Sequence, residues 1–193
     1  MTGSVASGQI QELNHLAVRW RTSPDGMARF VPGFDPDSGG TASTVLLLME
    51  SPGPSTIAMR ERAVCSEDNP DPTAAALRRA RTEARLAREA TLRWNLIPWA
   101  LPGRPTRGDV EAGRIALGEL LTYLPQLRAI VTFGTIALDG VMRHLTLDED
   151  AVLVPVIAVP HPSPANGAHR SEQHRRAVQA LRLARRATGP AAL

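Results

Sequence analysis

The chain has no lysine: all 22 of its basic residues are arginines, set against 19 acidic residues. A coding bias accounts for that choice, but the consequence is physical, because arginine presents a forked donor suited to phosphates. The single cysteine, Cys65, excludes an internal disulfide, a four-cysteine cluster and a cysteine-built zinc site, and a reducing compartment is expected. Aromatic residues make up only 4% of the chain. No apolar run is long enough to span a bilayer; the longest are Val45–Met49 and Val152–Val159. The first residues lack the basic-then-apolar signature of a signal peptide, so the cytoplasm is the expected location. His144, His169 and His174 show no metal-ligand spacing, and no metal is expected. There is no internal repeat, and the only biased stretch is the Ala/Arg-rich run at 74–90.

What is present suits one domain of 193 residues, with 1–8 and 188–193 expected as flexible tails. Apolar spacing predicts a helix over 10–22, followed by a loop over 23–43 anchored by Phe30, Val31 and Phe34. Thr44–Met49 is a continuous apolar run, which predicts a strand covered on both faces. Residues 51–72 are irregular. Thr73 or Asp71 is expected to cap a helix running to about 90, and Leu92–Trp99 reads as a second strand. Asp109 is expected to cap a helix to Tyr123, and Ala129–Phe133 is a third strand, ended by Gly134 and followed by a helix to Leu145. Val152–Val159 is the fourth strand, and Ser171 is expected to cap a last helix to Ala187. Strands alternating with helices predict an α/β three-layer sandwich: a central four-stranded parallel sheet with helices on both faces.

In such folds ligands sit outside the carboxyl ends of the strands, where the unusual sequence collects. Glu50-Ser51-Pro52-Gly53-Pro54 follows strand one, Asn95 lies in strand two, and Gly134-Thr135 follows strand three. After strand four comes His161, bracketed by Pro160 and Pro162, which narrow its backbone and aim its imidazole. A charge at Glu50, directly after a buried strand, needs a reason, and a site supplies one. Ser163 lacks the Gly-x-Ser-x-Gly surroundings of a nucleophile.

The set Glu50-Ser-Pro-Gly-Pro54, Trp94-Asn95-Leu-Ile-Pro98, Val131-Thr-Phe-Gly134 and His161-Pro-Ser-Pro164 resembles the uracil-DNA glycosylase superfamily over roughly residues 44–186. The first and last of these loops are its specific parts. The resemblance implies a catalytic role for Glu50, or for Ser51 in a shifted comparison, in handling the attacking water and the cationic sugar. It implies that His161 hydrogen-bonds the base carbonyl and that Asn95 reads the base edge. Ser51, Pro52, Gly53, Val64 and Cys65 are the remaining base-binding candidates. Pro54, Ser163, Ala165, Asn166 and Arg170 are the DNA-binding ones.

The chain departs from the family pattern in three places. Met49 stands where a glycine often precedes the acid. The stretch Arg62–Ser66 carries no ring to stack on the base, which leaves Val64 or Cys65 as an apolar floor, or Trp94 or Trp99 as a substitute. The wedge position, Ala165-Asn166, has no large apolar residue, which favours a mismatch, a damaged base or a single strand. The iron–sulfur cluster of the glutamate-bearing branch is impossible with one cysteine.

The expected activity is hydrolysis of the N-glycosidic bond of uracil or another deaminated base in DNA. It would be monofunctional, since no lysine can form a Schiff base, and would work as a monomer without metal, nucleotide or other cofactor. The rivals are a non-catalytic binder of damaged or single-stranded DNA and an α/β enzyme of nucleoside or small-metabolite chemistry.

Overall fold

A computed structural model describes residues 3–162 and 169–189. Its centre is a four-stranded, wholly parallel sheet of order β4-β2-β5-β6, built from β2 (Val45–Met49), β4 (Thr91–Asn95), β5 (Ala129–Phe133) and β6 (Val156–Val159). Every residue of β2 and β5 is buried, as the uninterrupted apolar runs require. Alternation splits the two faces. Val45, Leu47, Met49, Val131 and Phe133 pack with α3 (Pro72–Glu83) and α6 (Arg170–Ala187). Leu46, Leu48, Leu92, Trp94 and Ile130 pack with α1 (Gly3–Arg19), α4 (Arg107–Thr122) and α5 (Thr135–Leu147). The three-layer α/β sandwich expected from the sequence is the architecture found.

Element boundaries differ from the periodicity in ways that local chemistry explains. Strand β4 stops at Asn95, although Leu96 and Ile97 still donate to Met49 and Glu50 carbonyls, because Pro98 has no N–H to continue the ladder. Strand β6 starts only at Val156: Val152 and Leu153 are 76% and 82% exposed, and Pro155 precedes the paired segment. Helix α1 begins at Gly3, earlier than its apolar spacing suggests. Helix α3 ends at Glu83, where Arg85 adopts a positive φ of 55°. Asp71, not Thr73, caps α3, its carboxylate accepting the Ala74 N–H at 2.8 Å with Pro72 in the first turn. Thr106 caps α4 and Asp109 is the returning member of a capping box. Helix α6 starts at Arg170 after His169, so Ser171 is not its cap.

A second, smaller sheet has no counterpart in the sequence pattern. β1 (Gly33–Phe34) pairs in parallel with β3 (Val64–Cys65), two residues each, too short for any periodicity. This pairing fixes Cys65 beside the main sheet and ties the loop before it to the core. The short α2 (Pro54–Ala58) completes the element order. No described helix is long and apolar enough to cross a membrane.

Candidate active site

Four strand ends and one helix start meet at a cavity of about 190 Å³. Ser51, Pro52, Gly53 and Pro54 arrive from the end of β2, Asn95 and Arg93 from β4, His161 from just beyond β6, and Cys65 from β3. Asp71, Pro72 and Thr73 close it from the start of α3. The volume falls below the roughly 300–1,000 Å³ of drug-sized ligand sites and suits a single small ring system.

His161 is held by its neighbours in the chain and in space. Pro160 and Pro162 restrict its backbone, and Gly134 lies against it: a Cβ at Gly134 would sit 3.5 Å from the His161 Cβ. Gly134 itself adopts φ 97°, a region open to glycine, while its N–H donates to Val159 O at 2.9 Å to close the β5–β6 ladder. Burial pushes the His161 pKa below its ordinary 6.5; Arg93 pushes the same way and Asp71 opposes. The imidazole is therefore neutral at pH 7, able to donate one hydrogen bond without carrying charge.

Asp71 is a lining residue that motif reading missed as a site group, having taken it only as a possible helix cap. Like His161 it is bracketed by prolines, Pro70 and Pro72. One carboxylate oxygen accepts the Ala74 N–H at 2.8 Å. The strap that carries it, residues 66–71, is fixed on both sides. Glu67 takes a two-pronged bond from Arg81 at 2.7 and 2.6 Å, and both side chains are largely buried. Asp68 pairs with Arg88 and Arg78 at 2.6 and 3.0 Å, and Arg88 also reaches the buried Asp35 at 2.8 Å. Asn69 donates to Thr56 Oγ1 and to Val64 O at 3.2 and 2.9 Å. Arg78, Arg81 and Arg88 are thus structural clamps.

Asn95 is 5% exposed, and its Nδ2 donates to Cys65 Sγ at 3.8 Å, a weak sulfur contact. Burial pushes the Cys65 thiol up to about 11, so it is an apolar wall of the cavity and not a nucleophile. Arg93 is the second lining residue that was missed. Its signal in the sequence is a lone charge inside Thr91-Leu92-Arg93-Trp94-Asn95, on the same face as Asn95 by alternation.

The sequence-derived site is thus partly assembled. Ser51, Pro52, Gly53, Pro54, Cys65, Asn95 and His161 share the cavity. Glu50 is half-buried at the end of β2 and is not among the lining residues; its backbone carbonyl accepts the Ile97 N–H at 2.9 Å. Val64 is half-buried and also does not line it, so Cys65 and Met49 supply the apolar wall. Trp94 is not a stacking platform for a ligand: it is 1% exposed and stacks on Phe34, centroids 3.6 Å apart. Trp99 is 7% exposed and lies under the Arg29 guanidinium at 3.8 Å. Arg170, exposed at the start of α6, lines a neighbouring groove of about 350 Å³ with Arg79, His174 and Pro162, and Pro72 borders both spaces. Ser163, Ala165 and Asn166 lie outside the described residues. No cluster of three metal-ligating side chains occurs among the described residues.

A parallel α/β sandwich with a ring-sized polar cavity at its strand ends, walled by a proline–glycine loop, a strand asparagine and a proline-bracketed histidine, defines a class of base-handling folds. A family model, Uracil DNA glycosylase superfamily, matches residues 33–182, and the chain belongs to that superfamily. No curated protein matches the sequence. Membership carries a DNA glycosylase type of activity, a hydrolase of DNA repair, with DNA as the substrate.

Proposed function

We propose that the protein excises uracil or another deaminated base from DNA, acting as a cytoplasmic monomer without metal or nucleotide cofactor. The observation that carries this reading is the juxtaposition, in one cavity, of His161, Asn95 and a carboxylate, Asp71. Breaking the C1′–N bond leaves positive charge on the sugar and negative charge on the departing base. A fixed carboxylate answers the first and fixed donors the second. The Asn95 amide offers a donor and an acceptor side by side, which matches the O4 and N3–H edge of uracil and opposes the reversed edge of cytosine. Its contact to Cys65 sulfur is weak and yields to a base carbonyl. His161 donates to a second base oxygen while neutral. The base lies against Met49 and Cys65, with no ring to stack on.

Water is handled by Asp71 in this reading, because it lines the cavity. Glu50 is the carboxylate favoured by the family loop, and it sits next to Ser51 at the same strand end. Pro54 and Arg170 hold the DNA backbone beside the cavity, and Arg79 extends that basic edge; the family resemblance adds Ser163, Ala165 and Asn166 to the DNA contacts. Flipping the nucleotide out costs a few kcal/mol of stacking, which those contacts offset.

The test is a panel of oligonucleotides carrying uracil, hypoxanthine or xanthine, single-stranded and in mismatched and matched duplexes. Alkali-labile abasic product with at least one of these bases, surviving a chelator, is the expected result. Binding of the panel without any abasic product overturns catalysis and leaves a damaged-DNA binder.

A further inference from the structure

We propose that Arg93 is a further catalytic residue of this cavity: a permanent cation held against the base, which receives the negative charge of the departing ring. The inference deepens the base-excision reading and rests on it.

Arg93 sits on β4, an edge strand of the main sheet, in register with Leu47 and on the same face as Asn95. Its neighbours Leu92 and Trp94 turn to the opposite, apolar core. The residues beside it on the two inner strands, Leu47 and Val131, are aliphatic. The guanidinium is half-buried and lines the cavity. Its described contacts are neutral: one Nη donates to the Ser66 carbonyl and the other reaches Met49 Sδ at 3.7 Å. Its Nε is buried and has no hydrogen-bond partner among the described residues. The contrast with Arg81 and Arg88 is direct, since each of those holds one or more carboxylates.

A guanidinium does not discharge by losing its proton, so desolvating one beside sulfur and a carbonyl costs free energy that no direct ion pair among the described residues returns, although Asp71 shares the cavity. That arrangement is useful where negative charge is formed. When the C1′–N bond breaks, its electron pair passes to the base and spreads onto the ring oxygens. Water adds to the sugar carbon, forming the C1′–O bond, and its proton goes to Asp71. The base anion is protonated after release. Burial and, after it, Arg93 lower the His161 pKa, and Arg93 is the arginine among the described residues that line the cavity. A forked donor also prefers bases that present carbonyl oxygens over bases that present amino groups, so deaminated rings are the class it favours.

The experiment compares single-turnover release of uracil and 5-fluorouracil from otherwise identical oligonucleotides by the full chain, Arg93→Gln and Arg93→Lys. Fluorine makes the departing ring a better anion and lessens its need for help. Wild type is expected to release the two bases at similar rates. Arg93→Gln is expected to lose about 100-fold or more on uracil, the scale of removing one charge-stabilising donor. It should lose at least tenfold less on 5-fluorouracil. Arg93→Lys, which keeps the charge, should hold the wild-type ratio even if its absolute rate drops. If Arg93→Gln slows both bases equally, or only weakens DNA binding, the assignment to the leaving group is overturned. It is overturned as well if Arg93→Gln does not fold and Arg93→Lys changes the ratio as a neutral residue would. A wild-type protein that releases neither of these bases overturns the inference, and the base-excision reading falls with it only if hypoxanthine and xanthine also stay uncut; an active wild type with an unchanged ratio in Arg93→Gln overturns the inference alone.

Discussion

Asp71 and Glu50 are rival candidates for the proposed carboxylate role, the first selected by the cavity and the second by the family loop. Asp71→Asn keeps the helix cap, because an asparagine oxygen still accepts the Ala74 N–H, so the fold should survive while charge is lost. It is expected to lower single-turnover base release by about 100-fold or more, and Glu50→Gln by less than tenfold. The reverse order would return the role to Glu50. For His161, the direction of its shift sets the pH behaviour. As pH falls below 6.5, an unfolded histidine takes up a proton before the folded one does, so acidification costs the folded protein stability there and none above it. Base release should be flat near pH 7–8 and fall only on the acid side of 6.5; a rise in rate through that range would mean a protonated imidazole is the working form. His161 was legible in the sequence because two prolines bracket it at a strand end. Asp71 has the same bracketing but reads equally well as a helix cap, and the ion pairs that aim its strap join residues far apart in the chain. Arg93 shares a face with Asn95 by alternation, but a lone arginine in a strand does not show what it lines.

Around the cavity, secondary elements set the geometry through close backbone approaches. Leu96, directly after Asn95, is fully buried between α4 and α5. A Cβ on Gly113 would lie 2.9 Å from the Leu96 carbonyl oxygen, and one on Gly140 would lie 2.3 Å from the Leu96 side chain. Gly113→Ala is therefore expected to destabilise by about 1–3 kcal/mol through overpacking, and Leu96→Ala by about 2–5 kcal/mol through a cavity. Urea denaturation checks both, with unchanged m-values expected. A neutral Gly113→Ala would mean that α4 shifts freely over the β4 end. All four main strands were legible from apolar runs, though Arg93 and Asn95 interrupt one and Pro155 another, and the long helices from apolar spacing and capping residues. Their ends were less so: Pro98, Pro155 and the positive φ of Arg85 cut strands and helix short. The β1–β3 pair was invisible, because two-residue strands gain their stability from what they join.

As a whole molecule, the protein places one small polar cavity at the carboxyl edge of a parallel sheet and surrounds it with arginines of two kinds, clamps within the fold and cations beside the groove. Its net charge of +3 is small, so the proposed hold on DNA rests on a few local contacts beside the cavity. Repair by this chain requires that the base lose its bond to the sugar inside the cavity. Intact-mass spectrometry of a uracil-bearing oligonucleotide after incubation with the folded protein measures that loss directly. The predicted result is a product lighter by one base and heavier by one hydroxyl, with free uracil in solution and the backbone uncut. An unchanged mass at saturating protein, across uracil, hypoxanthine and xanthine substrates, would contradict it.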